Sequence, residues 1–217
     1  MTLVKICGIT NLEDARAAIE AGADMLGFNF YRRSPRFIEP GNARAIIEAL
    51  RPEAETSKRK VIMSGVFVSE PSPESVLGLA NEAGVEAVQL HGDESLEFCR
   101  NLRVLLKERF LIKALSAADD FEPERGAAYE VDAIMLDAFD SEFRGGTGRL
   151  VDWSMARRAR QAVPRLFLAG GLSPENVAEA IAAVEPYGVD VCSSLESSPG
   201  KKSAERIKAF VSAVRGG

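Results

Sequence analysis

A closed (β/α)8 barrel, in which eight parallel strands alternate with helices, is the fold class that the sequence predicts. Eight short runs are rich in aliphatic and β-branched residues, amphipathic segments separate them, and a similar helix-to-strand turn recurs. None of the runs alternates cleanly between polar and apolar residues, which is typical of parallel strands buried on both faces. We therefore expect one barrel domain over residues 1–217, with an open doubly wound sheet as the alternative.

The expected strands are Val4–Cys7, Met25–Phe30, Val61–Val68, Ala87–His91, Leu111–Leu115, Ala133–Asp137, Leu166–Ala169 and Val189–Ser193. The expected helices are approximately Leu12–Ala21, Asn42–Leu50, Pro73–Ala83, Ser95–Lys107, Ser154–Ala162, Pro174–Val184 and Ala204–Val214. Side chains that can cap these helices are Asn11, Ser72, Ser95, Ser154, Ser173 and Ser203. The fifth unit of this TIM barrel is expected to be irregular, because Ser116–Asp132 leaves room only for a short helix.

The recurring turn contains a glycine between the end of a helix and the start of a strand. It occurs at Gly22, Gly84 and Gly188. Glycine suits the left-handed residue that commonly follows a helix, so each position is expected to end one unit and begin the next.

The composition narrows the class of function. The chain has 217 residues, is 46% hydrophobic and 27% charged, and carries a formal net charge of −5. With no long basic block, nucleic acid is not expected as a partner, whereas a small anionic ligand needs only local positive potential. No apolar run is long enough to cross a membrane, and we see no signal-peptide pattern. Three widely spaced cysteines favour a reducing cytoplasm over a disulfide framework.

Two reactive side chains stand where predicted strands end. Cys7 precedes Gly8 at the end of the first strand, and Lys5 on the same face is expected to favour its thiolate, the form that acts as a base. Asp137 ends the sixth strand, where a partly apolar pocket would raise its pKa and let it act as a general acid. Asp140 is the competing acid, while Cys99 and Cys192 are expected to be packing residues.

Other polar residues and glycine-rich loops follow the same strand ends. Arg36, beside a proline, is expected to bind a carboxylate bidentately. His91 is the only histidine, so a Ser-His-Asp triad or a multi-histidine metal site is not expected, and a substrate contact and a structural role stay open. The loops at Gly170-Gly171 and Ser193-Ser194 are where such barrels bind phosphate, whereas Gly145–Gly148 alone is weak evidence.

Together these motifs resemble the phosphoribosylanthranilate isomerase family of tryptophan biosynthesis. The resemblance runs along the whole chain, through Lys5–Thr10, Gly27–Phe30, Ser34–Arg36, Gly65–Val68, Val88–Gly92, Leu136-Asp137, Gly145–Gly148, Asp152-Trp153, Ala169–Leu172, Glu196 and Pro199–Lys202. It implies an Amadori rearrangement of a phosphoribosyl substrate without cofactor or metal, by a monomer or homodimer in the cytoplasm.

The resemblance also implies a role for each candidate residue. Asp137 would protonate the ribose ring oxygen, and Cys7 would take the proton from ribose C2. Arg36 would hold the anthranilate carboxylate, Gln89 and His91 would line the pocket, and Asp190 would support a ribose hydroxyl. The phosphate would be bound by the loops that contain Gly170, Gly171, Ser193 and Ser194.

Two departures from the family pattern leave alternatives open. Ser194 replaces a glycine whose amide is expected near the phosphate, and its side chain would either crowd the phosphate or add a hydrogen bond. Ser203 replaces an aspartate after the lysine pair. The alternatives are the histidine-pathway isomerase, which is expected to carry an aspartate where Cys7 stands and a longer chain, and a non-catalytic barrel that only binds phosphate ligands.

Overall fold

The structure is a computed structural model that describes residues 1–56, 60–117, 123–138 and 152–216. Eight parallel strands close into a barrel in chain order, each paired with its sequence neighbours, and the last strand pairs with the first. The strands are β1 Leu3–Cys7, β2 Met25–Asn29, β3 Ile62–Phe67, β4 Ala87–Leu90, β5 Phe110–Ala117, β6 Ala133–Ala138, β7 Leu166–Leu168 and β8 Gly188–Val191. The predicted barrel is therefore confirmed, and the open sheet is excluded.

Helices follow the strands. They are α1 Leu12–Ala21, α2 Pro40–Thr56, α3 Pro73–Ala83, α4 Leu96–Leu106, α5 Pro123–Ala127, α6 Trp153–Ala162, α7 Val177–Val184 and α8 Ala204–Arg215. The fifth helix has only five residues, as we predicted from the short segment Ser116–Asp132. In the part of the chain that the structure describes, no helix is both long and apolar enough to cross a membrane.

Four of the six predicted helix caps are confirmed. The side chains of Asn11, Ser72, Ser95 and Ser203 each accept a hydrogen bond from a backbone amide in the first turn. The other two predictions are wrong. Asp152 caps α6 by accepting from the amide of Ser154, and at α7 the chain first makes a turn through Pro174, so that Asn176 becomes the N-cap.

The prediction of a left-handed glycine after a helix is confirmed at two of the three positions and is wrong at the third. Gly22 and Gly84 directly follow α1 and α3, and their φ values are +101° and +74°. Gly188 instead lies inside β8, and Glu185, with φ +53°, takes the left-handed position after α7. A Cβ at Gly188 would overlap the ring of Phe167, so glycine is needed there for close packing.

Strand register separates the inside of the barrel from its outer layer. One buried cluster fills the interior, and its members are Met25, Ala87, Ile112, Ala114, Ala133, Met135, Phe167 and Ala169. A larger apolar cluster packs the outer faces of the strands against the helices. Since side chains alternate between the two faces of a strand, any residue two positions from an interior residue also faces the interior.

The segment between β8 and α8 was not predicted. A 3-10 helix covers Ser193–Leu195, and it leads into a small antiparallel hairpin of β9 Glu196–Ser198 and β10 Lys201–Lys202. The amide of Lys202 donates to the carboxylate of Asp14 on α1 at 2.8 Å, which fixes the hairpin against the mouth of the barrel. The strands are too short to show a pattern of alternation in the sequence.

Candidate active site

Four predicted site residues share the interior face near the carboxyl ends of the strands. Gln89 and Asp137 lie two positions beyond the interior residues Ala87 and Met135. Lys5 pairs in register with both Met25 and Asp190, which places Asp190 and Cys7 on the same face. Cys7 and Asp137 are only 8% and 7% exposed. The topology thus brings these side chains into one compartment.

A buried ion pair lies one layer below Cys7. The Lys5 ammonium is fully buried, and its Nζ lies 2.6 Å from Oδ1 of Asp190. Burial by itself would lower the pKa of Lys5, but the charges of Asp190 and of the Cys7 sulfur outweigh burial and raise it. Lys5 is therefore a fixed positive charge beneath the thiol.

The thiol of Cys7 has a partner that the sequence analysis missed. Cys7 donates a hydrogen bond to the sulfur of Cys192, and this bond, together with burial, raises the pKa of Cys7 well above its ordinary value. Lys5 lowers that pKa, as predicted, but its effect is smaller than the other two. Lys5 therefore favours the thiolate as expected, but the pKa of Cys7 is raised overall, because the prediction did not include the neighbouring sulfur.

Cys192 is not the packing residue that we predicted. It lies half-buried just beyond the end of β8, and Nζ of Lys202 is 3.6 Å from its sulfur. The hydrogen bond from Cys7 and the positive charges of Lys202 and Arg36 lower the pKa of Cys192 to about 7, against the opposing effect of burial. The chain leaves the strand at Val191, so the alternation of side chains along β8 does not predict the direction in which Cys192 points.

A chain of hydrogen bonds holds the carboxyl group of Asp137. Nε2 of Gln89 lies 2.8 Å from Nδ1 of His91, and Nε2 of His91 lies 3.1 Å from Oδ2 of Asp137. With the Gln89 amide as donor, Nδ1 accepts and Nε2–H donates to Asp137. His91 therefore contacts the candidate acid directly, and Gln89 fixes the tautomer and orientation of the imidazole.

Arg36 reaches the mouth of the barrel and meets an acidic partner there. Its Nε and Nη2 donate to the two carboxylate oxygens of Glu196 at 3.0 and 2.7 Å. Lys202, whose side chain is fully buried, donates to the same carboxylate at 3.1 Å and to the carbonyl of Cys192 at 3.1 Å. Burial would raise the pKa of Glu196, but Arg36 and Lys202 together lower it. Glu196 and Lys202 stood within matched motifs, but their burial and pairing appear only in the fold.

The two loops predicted to bind phosphate lie against each other. Gly170 and Gly171 follow β7 with φ values of +81° and +67°, a left-handed conformation that glycine adopts without strain. Oγ of Ser194 donates to the carbonyl of Leu172 at 2.5 Å, which joins this loop to the one that contains Ser193. The serine hydroxyl that replaces the family's glycine therefore bonds to the neighbouring loop. Ser203, the second departure, caps α8.

Two candidates named in the sequence analysis lie outside the described residues. These are Asp140, the competing acid, and the glycine-rich stretch Gly145–Gly148.

The fold and the site define the class of protein. A closed barrel that presents a thiol and a carboxyl group at the carboxyl ends of its strands, beside two joined glycine-containing loops, is an α/β barrel of the kind that carries enzyme active sites, with candidate groups for acid–base chemistry.

Comparisons with known proteins identify the family. The family model described as N-(5′phosphoribosyl)anthranilate (PRA) isomerase matches residues 4–213. A curated N-(5′-phosphoribosyl)anthranilate isomerase from Trichlorobacter lovleyi is 44% identical over 211 residues, which are 97% of each chain. The crystal structure of phosphoribosyl anthranilate isomerase from Thermotoga maritima aligns over 100% of both chains, with 42% identity and a TM-score of 0.86.

A further solved phosphoribosyl anthranilate isomerase is in complex with reduced 1-(o-carboxyphenylamino)-1-deoxyribulose 5-phosphate. It aligns over 100% of both chains, with 41% identity and a TM-score of 0.83. The chain therefore belongs to the N-(5′-phosphoribosyl)anthranilate isomerase family, and the resemblance seen in the sequence is confirmed.

Proposed function

We propose that Cys7 and Asp137 are the general base and general acid of the rearrangement that this family catalyses in tryptophan biosynthesis. The substrate is N-(5′-phosphoribosyl)anthranilate, and the product is 1-(2-carboxyphenylamino)-1-deoxyribulose 5-phosphate. One observation carries the assignment of roles. Strand register puts both side chains on the interior face at the mouth of the barrel, nearly excluded from solvent. Enclosing both groups favours proton transfer to and from one bound substrate.

Asp137 acts first in this mechanism. The acid gives its proton to the ribose ring oxygen while the bond between that oxygen and C1 breaks, which opens the ring to a Schiff base. His91 binds Oδ2 of Asp137 and so orients the carboxyl group that transfers the proton. His91 is therefore a positioning residue for Asp137, and Gln89 acts through His91.

Cys7 acts second. Its thiolate takes the proton from ribose C2, the electron pair of that C–H bond forms the C1–C2 double bond of an enolamine, and the Schiff-base nitrogen is neutralised. The enolamine then tautomerises to the ketone product. Lys5 stabilises the thiolate from below through its positive charge. A base whose pKa is raised also binds the abstracted proton more strongly, which favours removal of a weakly acidic proton.

The substrate's anionic groups are assigned to the two sides of the mouth. Glu196 occupies the Nε and Nη2 edge of Arg36, so the anthranilate carboxylate is assigned to the outer edge formed by Nη1 and Nη2. Asp190 keeps Oδ2 for a ribose hydroxyl, since Lys5 binds Oδ1. The phosphate is assigned to the amides of the joined loops at Gly170, Gly171, Ser193 and Ser194.

The test is a fluorescence assay of purified protein with freshly prepared N-(5′-phosphoribosyl)anthranilate. Cys7→Ala and Asp137→Asn are each expected to lower kcat by about 10²–10⁴-fold, which is the usual contribution of a positioned proton-transfer group. Cys99→Ala, which alters a buried thiol on α4 away from the site, is the matched control and should retain turnover. Turnover close to that of the parent protein in either site variant, with the barrel folded, would remove that residue from the mechanism.

The same assay also tests the non-catalytic alternative. A barrel that only binds phosphate ligands would show no turnover in the parent protein.

The number of subunits stays a prediction, a monomer or a homodimer, to be measured by light scattering.

A further inference from the structure

Cys192 takes no part in the proposed rearrangement, yet it lies beside the catalytic thiol. Because Ile6 pairs with Val191, the residues that follow them, Cys7 and Cys192, are neighbours at the carboxyl ends of β1 and β8. Adjacent strands are about 4.7–4.9 Å apart, within the range of about 4.4–6.8 Å that Cα atoms span across a disulfide. The Cys192 sulfur lies against Gly8, the residue that follows Cys7, since a Cβ on Gly8 would be 2.9 Å from it.

The two sulfurs differ in their surroundings. Cys192 is half-buried, and its sulfur lies 3.6 Å from Nζ of Lys202. The positive charges of Lys202 and Arg36 lower its pKa. Cys7 is 8% exposed, and its pKa is raised, so it keeps its proton while Cys192 ionises. A partly exposed thiolate beside cations is the kind of cysteine that peroxides oxidise, and a second thiol within reach resolves the oxidised form.

We propose that Cys192 is an oxidation site for peroxides and that Cys7 is its resolving thiol, so that the two form a reversible disulfide across β1 and the end of β8.

The chemistry proceeds in two balanced steps. The Cys192 thiolate attacks one oxygen of hydrogen peroxide, the O–O bond breaks, and hydroxide leaves and takes up a proton, which gives a sulfenic acid and water. The Cys7 sulfur then attacks the Cys192 sulfur, the S–O bond breaks, and hydroxide leaves with the Cys7 proton as a second water. Two thiols are oxidised to one disulfide, and one peroxide is reduced to two molecules of water.

A consequence follows that rests on the proposed function. If Cys7 is the general base, a sulfur held in a disulfide cannot accept the C2 proton. Oxidation is then expected to lower turnover by about 10²-fold or more, and reduction by dithiothreitol is expected to restore it.

The test exposes the purified protein to hydrogen peroxide and analyses it by mass spectrometry and activity. Trypsin releases Cys7 in Ile6–Arg16 and Cys192 in Leu166–Lys201, each with a single cysteine. We expect these two peptides to become linked with the loss of two hydrogens and to separate on reduction. Cys192→Ser, compared with its own untreated activity, should lose turnover at least about tenfold more slowly than the parent protein, because the reactive thiolate is gone. Cys99→Ala should behave like the parent protein.

The outcomes separate the two claims. Peptides that remain unlinked in peroxide-treated protein, or equal rates of inactivation with and without Cys192, would overturn the oxidation site. Linked peptides with full turnover would support the oxidation site and would instead refute Cys7 as the base.

Discussion

Removing the charge of Lys5 tests the buried ion pair at the heart of the barrel. In Lys5→Met the side chain keeps most of its length, while Oδ1 of Asp190 loses a partner at 2.6 Å. Asp190 is 9% exposed and would remain as an unpaired, buried carboxylate. Breaking one side of a buried pair costs about 3–5 kcal/mol. For a chain of this length, each kcal/mol lowers Tm by roughly 2–4 °C, so a fall of about 6–20 °C is expected.

The assay is equilibrium unfolding in urea at neutral pH, followed by circular dichroism. Three variants form a cycle: Lys5→Met, Asp190→Asn, and both together. The double variant removes both charges, so it is expected to be more stable than the sum of the two single losses predicts.

The matched control removes a charge from an exposed pair. In Glu48→Met the lost partner is Arg44, one turn away on α2, where both side chains are 52% exposed. Such pairs contribute about 0.3–0.5 kcal/mol. If Lys5→Met cost no more than this control, or if the two single losses simply added, the buried pair would not be the stabilising contact that we describe.

The remaining predictions concern the mouth of the barrel. Arg36→Lys should raise KM far more than it lowers Tm, because a lysine cannot bind Glu196 and a substrate carboxylate through a planar fork. A large fall in Tm together with the loss of activity would instead make Arg36 a structural residue. Arg36 and Lys202 hold the pKa of Glu196 below its ordinary 4.5, so the stability this carboxylate contributes is present above that value and is lost as the pH falls through the lower folded pKa. Glu196→Gln should therefore flatten the acid limb of a Tm–pH curve, and an unchanged limb would contradict this. Because the pKa of Cys7 is raised, kcat/KM should increase with pH through the neutral range, and a flat profile would contradict Cys7 as the base. Gly8→Ala should lower both Tm and kcat, since Gly8 has φ +74° and a Cβ there would lie 2.9 Å from the Cys192 sulfur; full activity would show that the turn tolerates a side chain.

The sequence alone determined the barrel and the position of two reactive side chains at its mouth. Apolar runs of strand length and their spacing predict eight parallel strands, because each strand must bury both faces. The same reasoning places Cys7 and Asp137 at the carboxyl ends of strands. Because the strands of a barrel are parallel, these ends meet at one mouth, so the position of each residue in the sequence is sufficient to predict that the two side chains share it. The first and third helices were predicted to the residue because a capping side chain and a left-handed glycine mark their ends locally.

Only the tertiary structure decided which groups meet. Glu196 lies 160 residues from Arg36 in sequence, and Cys192 lies 185 from Cys7, yet each pair is in direct contact. Such contacts form when the barrel closes β8 against β1, and no local pattern encodes them. They reverse the expected protonation of Cys7, because the pKa of a buried thiol depends on whichever charges and donors the fold places within a few ångströms of it.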